Sequence, residues 1–394
     1  MDRRLFFRIF LGTVALLALM VPSTSSAQTP GVTSSEILIG SCSALDGPSR
    51  MLGLQTVLGA SAYIDMVNEQ GGINGRKLRL VDYDDSYDPD KAPGCFARLQ
   101  KDQVFAAGFF VGTPTAAKYV PLAEENKVPV VGLFTGAQLL YEPFRHYVIN
   151  IRASYFDESR EQVDRLWDLG MKRIAVIHPD DAFGAAVLEG VKKALAKHNS
   201  APVADESFRR QTLEVDRAIN AVRAKNPQAV VLVGPYAPVA EIVKRAHARN
   251  WRPQFLTVSF VGTDELIKLA GADAEGMIIT QVVPPYYLTD LPTVALYRRV
   301  LGQHFPNSQP TFVSLEGFVD AMVLVEGLKR AGKDLTRERF IRGVESIHNF
   351  DTGLGPTLKL NYGPSDHKGF DTVYATIVTG GKPVIITDWQ QIRH

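Results

Sequence analysis

Residues 66–83, Met66-Val67-Asn68-Glu69-Gln70-Gly71-Gly72-Ile73-Asn74-Gly75-Arg76-Lys77-Leu78-Arg79-Leu80-Val81-Asp82-Tyr83, take the chain out of a helix, through two turn signals and into a strand. Upstream, Leu54, Val57, Leu58, Ile64 and Val67 recur at near 3.6-residue spacing, which predicts an amphipathic helix. Gly71-Gly72 ends it and Asn74-Gly75 turns the chain into the apolar run from Leu78 to Tyr83. A further run, Ile37-Leu38-Ile39, precedes the helix. Strand, helix and strand in this order predict a crossover unit with parallel strands.

The same rhythm continues. Strands are expected at Val104 to Val111, Val128 to Leu133 and Tyr147 to Ile151. Most are continuous apolar runs, which suits strands covered on both faces. A second series starts near Ala153, with helices at 157–169, 183–197, 215–225, 238–250 and 264–270 and strands at 173–178, 229–233, 255–258 and 276–283. Beyond Pro284-Pro285 come helices near 293–305, 315–331 and 336–346, then strand-like segments at 372–378 and 384–387. No long linker separates the series. The expected architecture is α/β with two lobes, a short connection near Asn150 to Ser154, and a cleft between the lobes faced by the loops that follow the strands.

Composition excludes several classes. With 394 residues, 45% hydrophobic and 22% charged, the chain is neither disordered nor multi-span. Arg3, Arg4 and Arg8 precede a largely apolar run from Ile9 to Val21 and a Ser/Thr-rich stretch to Ala27. This pattern reads as a secretory signal over residues 1–27, cleaved before Gln28, and is too short to cross a bilayer. An uncleaved tethering helix is the alternative; the region carries no cysteine for a lipid anchor. Removing the leader's three arginines and one aspartate moves the net charge from +1 to −1. Nucleic acid is therefore not an expected partner.

Catalytic signatures are missing or broken, and no cofactor or metal is implied. Gly327 to Lys333 fits GxxxxGK, but Asp334 replaces the Ser or Thr of a phosphate loop and the stretch reads as a helix end. His178 reads as a satisfied strand-end histidine. Asp82, Asp84, Asp85, Asp88 and Asp90 lack the glycine and distal glutamate of a calcium loop, so a strand-to-helix loop is expected, with Asp88 or Asp90 capping the next helix. Gly112-Thr113-Pro114-Thr115 follows a buried strand and opens a helix, the arrangement that holds a small anion; the alternative is that Thr113 or Thr115 caps its own helix. Phe134-Thr135-Gly136-Ala137 stands similarly after the next strand.

The segments Ile37 to Gly40, Ala44-Leu45-Asp46-Gly47-Pro48, Gly71 to Leu78, Asp84-Asp85, Tyr87-Asp88-Pro89, Gly112-Thr113-Pro114-Thr115 and Ala274-Glu275-Gly276 together resemble the leucine/isoleucine/valine-binding proteins, the type I periplasmic substrate-binding proteins of ABC importers. The resemblance runs from about Glu36 to the C-terminus. It implies two Rossmann-like lobes joined by a three-crossing hinge, with residues 28–152 and 284–365 in one lobe and 153–283 and 366–394 in the other. It implies a periplasmic, monomeric, non-enzymatic receptor that takes a small amino acid or organic acid to an inner-membrane permease. An extracytoplasmic sensor signalling to a membrane receptor or kinase would share the fold.

Carried over by position, Thr113, Thr135 and Gly136 would hold the ligand carboxylate, Phe183 and Tyr236 would wall the pocket, and Leu52 would face the ligand side chain. Thr115, Phe134 and Tyr155 join them as candidate contacts. Ser259 stands where amino-acid binders of this type place a glutamate for the ligand's ammonium, and Glu316 and Asp181 are the candidates to replace it. A buried ammonium without a carboxylate is costly, so aromatic and aliphatic acids fit the remaining anchors as well. Cys42 ends the first strand and Cys95 begins the helix after the second. An oxidising periplasm allows a Cys42–Cys95 disulfide, whose loop closure contributes roughly 4 kcal/mol; two reduced thiols are the alternative.

Overall fold

The structure, a computed structural model, describes residues 29–392, so the proposed leader lies outside the described residues. The first series forms strand β1 (Glu36–Ser43), helix α1 (Arg50–Glu69), β2 (Lys77–Asp84), α2 (Ala92–Lys101), β3 (Ala106–Gly108), α3 (Thr113–Glu125), β4 (Val130–Val131) and β5 (Val148–Ile149). Its sheet is parallel, in the order β2-β1-β3-β4-β5. Every residue of β3, β4 and β5 is buried, as continuous apolar runs require.

The second series forms α4 (Tyr155–Asp168), β6 (Ile174–Pro179), α5 (Ala182–Ala196), β7 (Ala204–Phe208), α6 (Asp216–Ala224), β8 (Ala229–Leu232), α7 (Tyr236–Ala248), β9 (Gln254–Thr257), α8 (Thr263–Ala270) and β10 (Ile278–Gln281). The chain then builds α9 (Pro292–His304), α10 (Phe312–Ala331) and α11 (Arg337–Glu345), a small hairpin of β11 (Phe350–Asp351) and β12 (Lys359–Leu360), and strands β13 (Tyr374–Thr379) and β14 (Lys382–Ile385). The second sheet runs β14-β13-β10-β9-β8-β6-β7, with β13 and β14 antiparallel at one edge. β7 is an element the sequence reading lacks: Ala204-Asp205-Glu206-Ser207-Phe208 is a polar edge strand with only Phe208 buried.

Helix α10 is buried nearly all round and packs against α1 in the first lobe. The contact is closer than the expected apolar stripe allows. Leu54 is 41% exposed, whereas Gly53, Thr56, Gly59 and Ala60 are buried. A Cβ on Gly59 would lie 1.8 Å from the Ser314 carbonyl oxygen, and one on Gly317 would lie 2.1 Å from that of Thr56. Small residues here let two backbones touch.

The chain passes between the sheets three times: from β5 to α4, from β10 to α9, and from β12 to β13. Cys42 and Cys95 form a disulfide with Cα atoms 6.1 Å apart. The parallel register of β1 and β2 sets Cys42 opposite Tyr83, and the loop after β2 returns α2 over it. Among the described residues no helix is long and apolar enough to cross a membrane.

Candidate ligand cleft between the lobes

The loops after β1, β2, β3 and β4 face those after β6, β8 and β9, as expected for the carboxyl ends of parallel strands. Gly112 precedes α3 with φ +96°, a conformation that favours glycine, and a Cβ there would come within 1.9 Å of the Tyr87 ring. No side chain caps α3. The Thr113 and Thr135 hydroxyls are 2.7 Å apart and fully buried. Thr115 instead donates to its own helix start, at 2.6 Å from Val111 O and 3.0 Å from Gly112 O. The positive end of α3 thus remains available to an anion, with Thr113 and Thr135 beside it.

Thr135 N–H is bonded to Leu133 O at 2.7 Å, and Gly136 O accepts from Tyr155 N–H at 2.7 Å. A capping box between Ser154 and Asp157 fixes the start of α4 and with it Tyr155. Asp181 caps α5, accepting from Phe183 N at 2.9 Å and Gly184 N at 3.0 Å, and so sets the Phe183 ring in the cleft. Phe260, in the turn after β9, is the hub: its ring centroid lies 4.4 Å from Phe183, 5.5 Å from Phe134 and 5.8 Å from Tyr87. Tyr155 lies 5.3 Å from Phe183. All five rings are at most 2% exposed. At one side, Met51 N–H donates to the Tyr236 hydroxyl at 3.2 Å, and Leu52 packs under Gly262.

Behind the rings, Arg152 is 2% exposed between Glu158, at 3.3 Å, and Glu316, at 3.2 Å. Its guanidinium also bonds Ser259 Oγ. Glu158 accepts from Ser259 N at 2.8 Å, Ser259 Oγ at 2.9 Å and Thr280 Oγ1 at 2.6 Å. Ser259 therefore has a carboxylate behind it, one already engaged by Arg152. Burial pushes Glu316 up to about 7 against the opposing pull of Arg152, with Glu158 adding to the rise. Burial also raises Asp320, one turn further along α10, and Glu316 adds to it.

Asp181 is also engaged. Its Oδ2 takes Arg210 Nε at 3.0 Å, and Arg210 reaches across the cleft to donate to Tyr87 O at 2.8 Å with its guanidinium 5.0 Å above the Tyr87 ring. Gln211 donates to the same carbonyl at 3.2 Å. Outside this crossing lies a cavity of about 210 Å³ with Pro48, Pro179, Phe208 and Leu213 in its walls.

The structure thus brings Leu52, Thr113, Phe134, Thr135, Gly136, Tyr155, Phe183, Tyr236 and Ser259 to the interlobe region and turns the Thr115 hydroxyl back onto its helix. Tyr87, Arg152, Glu158, Arg210 and Phe260 were not nominated. Tyr87 and Phe260 carry the same signal as Thr113, a position just after a sheet strand, and so do Arg152 after β5 and Arg210 after β7; Glu158, inside α4, carries none. Elsewhere, His178 Nδ1 lies 2.8 Å from Pro179 O. The aspartate loop departs from expectation: Asp88 Oδ1 accepts from Asp90 N at 2.9 Å, so neither residue's side chain caps α2, while Asp84 holds the Leu45, Asp46 and Ser86 amides. The GxxxxGK stretch is the end of α10, stopped at Gly332.

Comparison with known proteins agrees with this geometry. Residues 36–382 match the family described as periplasmic binding protein. The leucine-specific-binding protein of Salmonella typhimurium is 25% identical over 353 residues, covering 88% of this chain and 92% of that protein. The crystal structure of a possible leucine/isoleucine/valine-binding protein from Rhodopirellula baltica superposes with TM-score 0.87 at 31% identity, covering 93% of this chain and 99% of that one. A branched-chain amino acid ABC transporter protein from Thermus thermophilus, solved with bound valine, has TM-score 0.81 at 20% identity, covering 91% and 97%. The family match spans most of the chain, and the chain belongs to the periplasmic binding proteins, alongside the leucine/isoleucine/valine-binding proteins.

Proposed function

We propose that this chain is the periplasmic solute receptor of an ABC importer, that it takes a small carboxylate-bearing ligand in the interlobe cleft, and that it delivers that ligand to the permease. Lobe boundaries near residues 152, 283 and 365 form the hinge in this reading. The observation that carries it is the pairing of the uncapped α3 terminus and its Thr113–Thr135 hydroxyls with an aromatic wall contributed by both lobes. Amides and hydroxyls suit a carboxylate, and the rings suit an apolar remainder. Binding favours the closed state because only there do both rims touch the ligand. The disulfide fits an oxidising compartment.

Hydrophobic amino acids and related organic acids are the ligand class. The names of the leucine- and valine-binding relatives support the first. The engagement of Glu158 by Arg152, and of Asp181 by Arg210, supports acids without an ammonium group. A thermal-shift panel of L-leucine, L-valine, benzoate and octanoate tests the reading. Ligand at ~100 times its Kd adds about 2.7 kcal/mol of stability. Silence across amino acids and acids alike would remove the proposal. Thr113→Ala is expected to weaken the best ligand by about 1–3 kcal/mol, measured by titration calorimetry; unchanged affinity would take Thr113 out of the site.

A further inference from the structure

Two phenolic hydroxyls in the cleft, those of Tyr87 and Tyr155, are fully buried and make no hydrogen bond of normal geometry. They come from opposite sides: Tyr87 follows β2 in the first lobe, and Tyr155 opens α4 beside the second. Both border the same point. The Tyr87 ring lies on Gly112 at the start of α3. Tyr155 is tied to Gly136 O, and its hydroxyl neighbours Thr135, the partner of Thr113. The Arg210 guanidinium, paired with Asp181, lies 5.0 Å above the Tyr87 ring.

The backbone is committed to this placement. Ser86 and Tyr87 have φ of +53° and +56°, successive left-handed residues without a glycine. The conformation is held by Asp85 Oδ1 on Tyr87 N at 2.8 Å and by Arg210 and Gln211 on Tyr87 O. A buried hydroxyl without a partner is a cost that native structures rarely carry without a reason. Two at one helix terminus, one from each rim, have a common reason if a third group accepts from both. Burial raises both phenols, so both are donors throughout the neutral range.

We propose that the hydroxyls of Tyr87 and Tyr155 are ligand contacts that donate, one from each lobe, to the carboxylate held at the α3 terminus. The inference rests on the small-acid reading above and adds which side chains grip. Thr115 bonds its own helix and Arg152 is held by Glu158 and Glu316, while the Thr113–Thr135 pair uses one of its two O–H groups, so the two phenols stand beside one threonine O–H as free hydroxyl donors at this point. A carboxylate accepting from both rims also ties the lobes together, so the contact is complete only when the cleft is shut.

Phenylalanine keeps each ring and deletes only the oxygen, so Tyr87→Phe and Tyr155→Phe test the proposal. The ligand-free melting temperature of the purified protein is measured beside its affinities for sodium benzoate, L-leucine and benzamide. The expected result pairs opposite signs: the ligand-free melting temperature holds or rises, because an unpaired hydroxyl is gone, while affinity for the better-bound acid falls about 10-fold or more in each variant. Discrimination of benzoate over benzamide shrinks with it. Wild-type affinity in both variants overturns the inference, and so does a melting temperature that falls together with affinity, which marks a structural role. If none of L-leucine, L-valine, benzoate and octanoate binds the wild type, the small-acid reading falls and takes this inference with it. If the wild type binds and the variants bind equally well, only the inference falls.

Discussion

Two arginines reach from one lobe to the other, and they differ in depth. Arg152, in the first crossing, is buried between Glu158 of the second lobe and Glu316 of the first, with Asp320 alongside. Arg210, at the cleft mouth, keeps 21% of its side chain exposed, pairs with Asp181 of its own lobe, and reaches the other only through the Tyr87 carbonyl and ring. The first holds charge that has no water to fall back on. The second can let go and be resolvated. Opening in the proposed receptor would need one junction that keeps its arrangement near the crossing and one that yields at the rim, and burial separates the two.

Arg152→Ala is expected to have the largest effect, a loss of about 3–5 kcal/mol in unfolding free energy, because it strands buried carboxylates without their cation. The urea midpoint measures it, and a loss below about 1 kcal/mol would erase the distinction between the sites. Arg210→Ala is expected to cost at most about 1 kcal/mol of stability, since the pair is partly solvated. It should accelerate release of a bound acid several-fold in stopped flow, with little change in the association rate. An unchanged release rate would remove the mouth crossing from the closing contacts.

Glu316→Gln is expected to have the smallest effect and to show only in the pH dependence. Glu316 titrates near 7 in the folded protein against 4.5 as its ordinary value. The folded state therefore holds more protons between these values, and this contribution, full below about 4.5, is lost as pH rises through about 7. The glutamine variant flattens that part of the profile. Asp85, pushed up to about 7 by burial, and Asp264, pushed up to about 6 by burial, keep a residual slope of the same sign. A profile unaltered by the substitution would mean that Glu316 is not the group titrating at the deep junction.

The depth difference also marks where sequence reading runs out. Continuous apolar runs announced both sheets, because strands covered on two faces must be apolar throughout; Thr113 was placed at the cleft because loops after such strands face it, whereas Phe183 came only with the family resemblance. The polar edge strand β7 was not, since a strand with one neighbour has no need of an apolar face. The α1–α10 contact hid for the opposite reason: backbones that touch need glycine, and glycine writes no stripe. Arg152, Glu158 and Glu316 share no spacing; the first crossing and the return of α10 bring them together. The cysteines could be paired only because a parallel register sets strand ends side by side.

The central claim is that both lobes close on an acid group at the α3 terminus. A crystal structure of the protein with the best-stabilising acid of the panel tests it most directly. The account predicts the ligand carboxylate within hydrogen-bond reach of the Thr113 and Gly136 region, with its apolar part against Phe134, Phe183 and Phe260. An acid group turned away from α3, or a ligand seated outside the interlobe cleft, would contradict it.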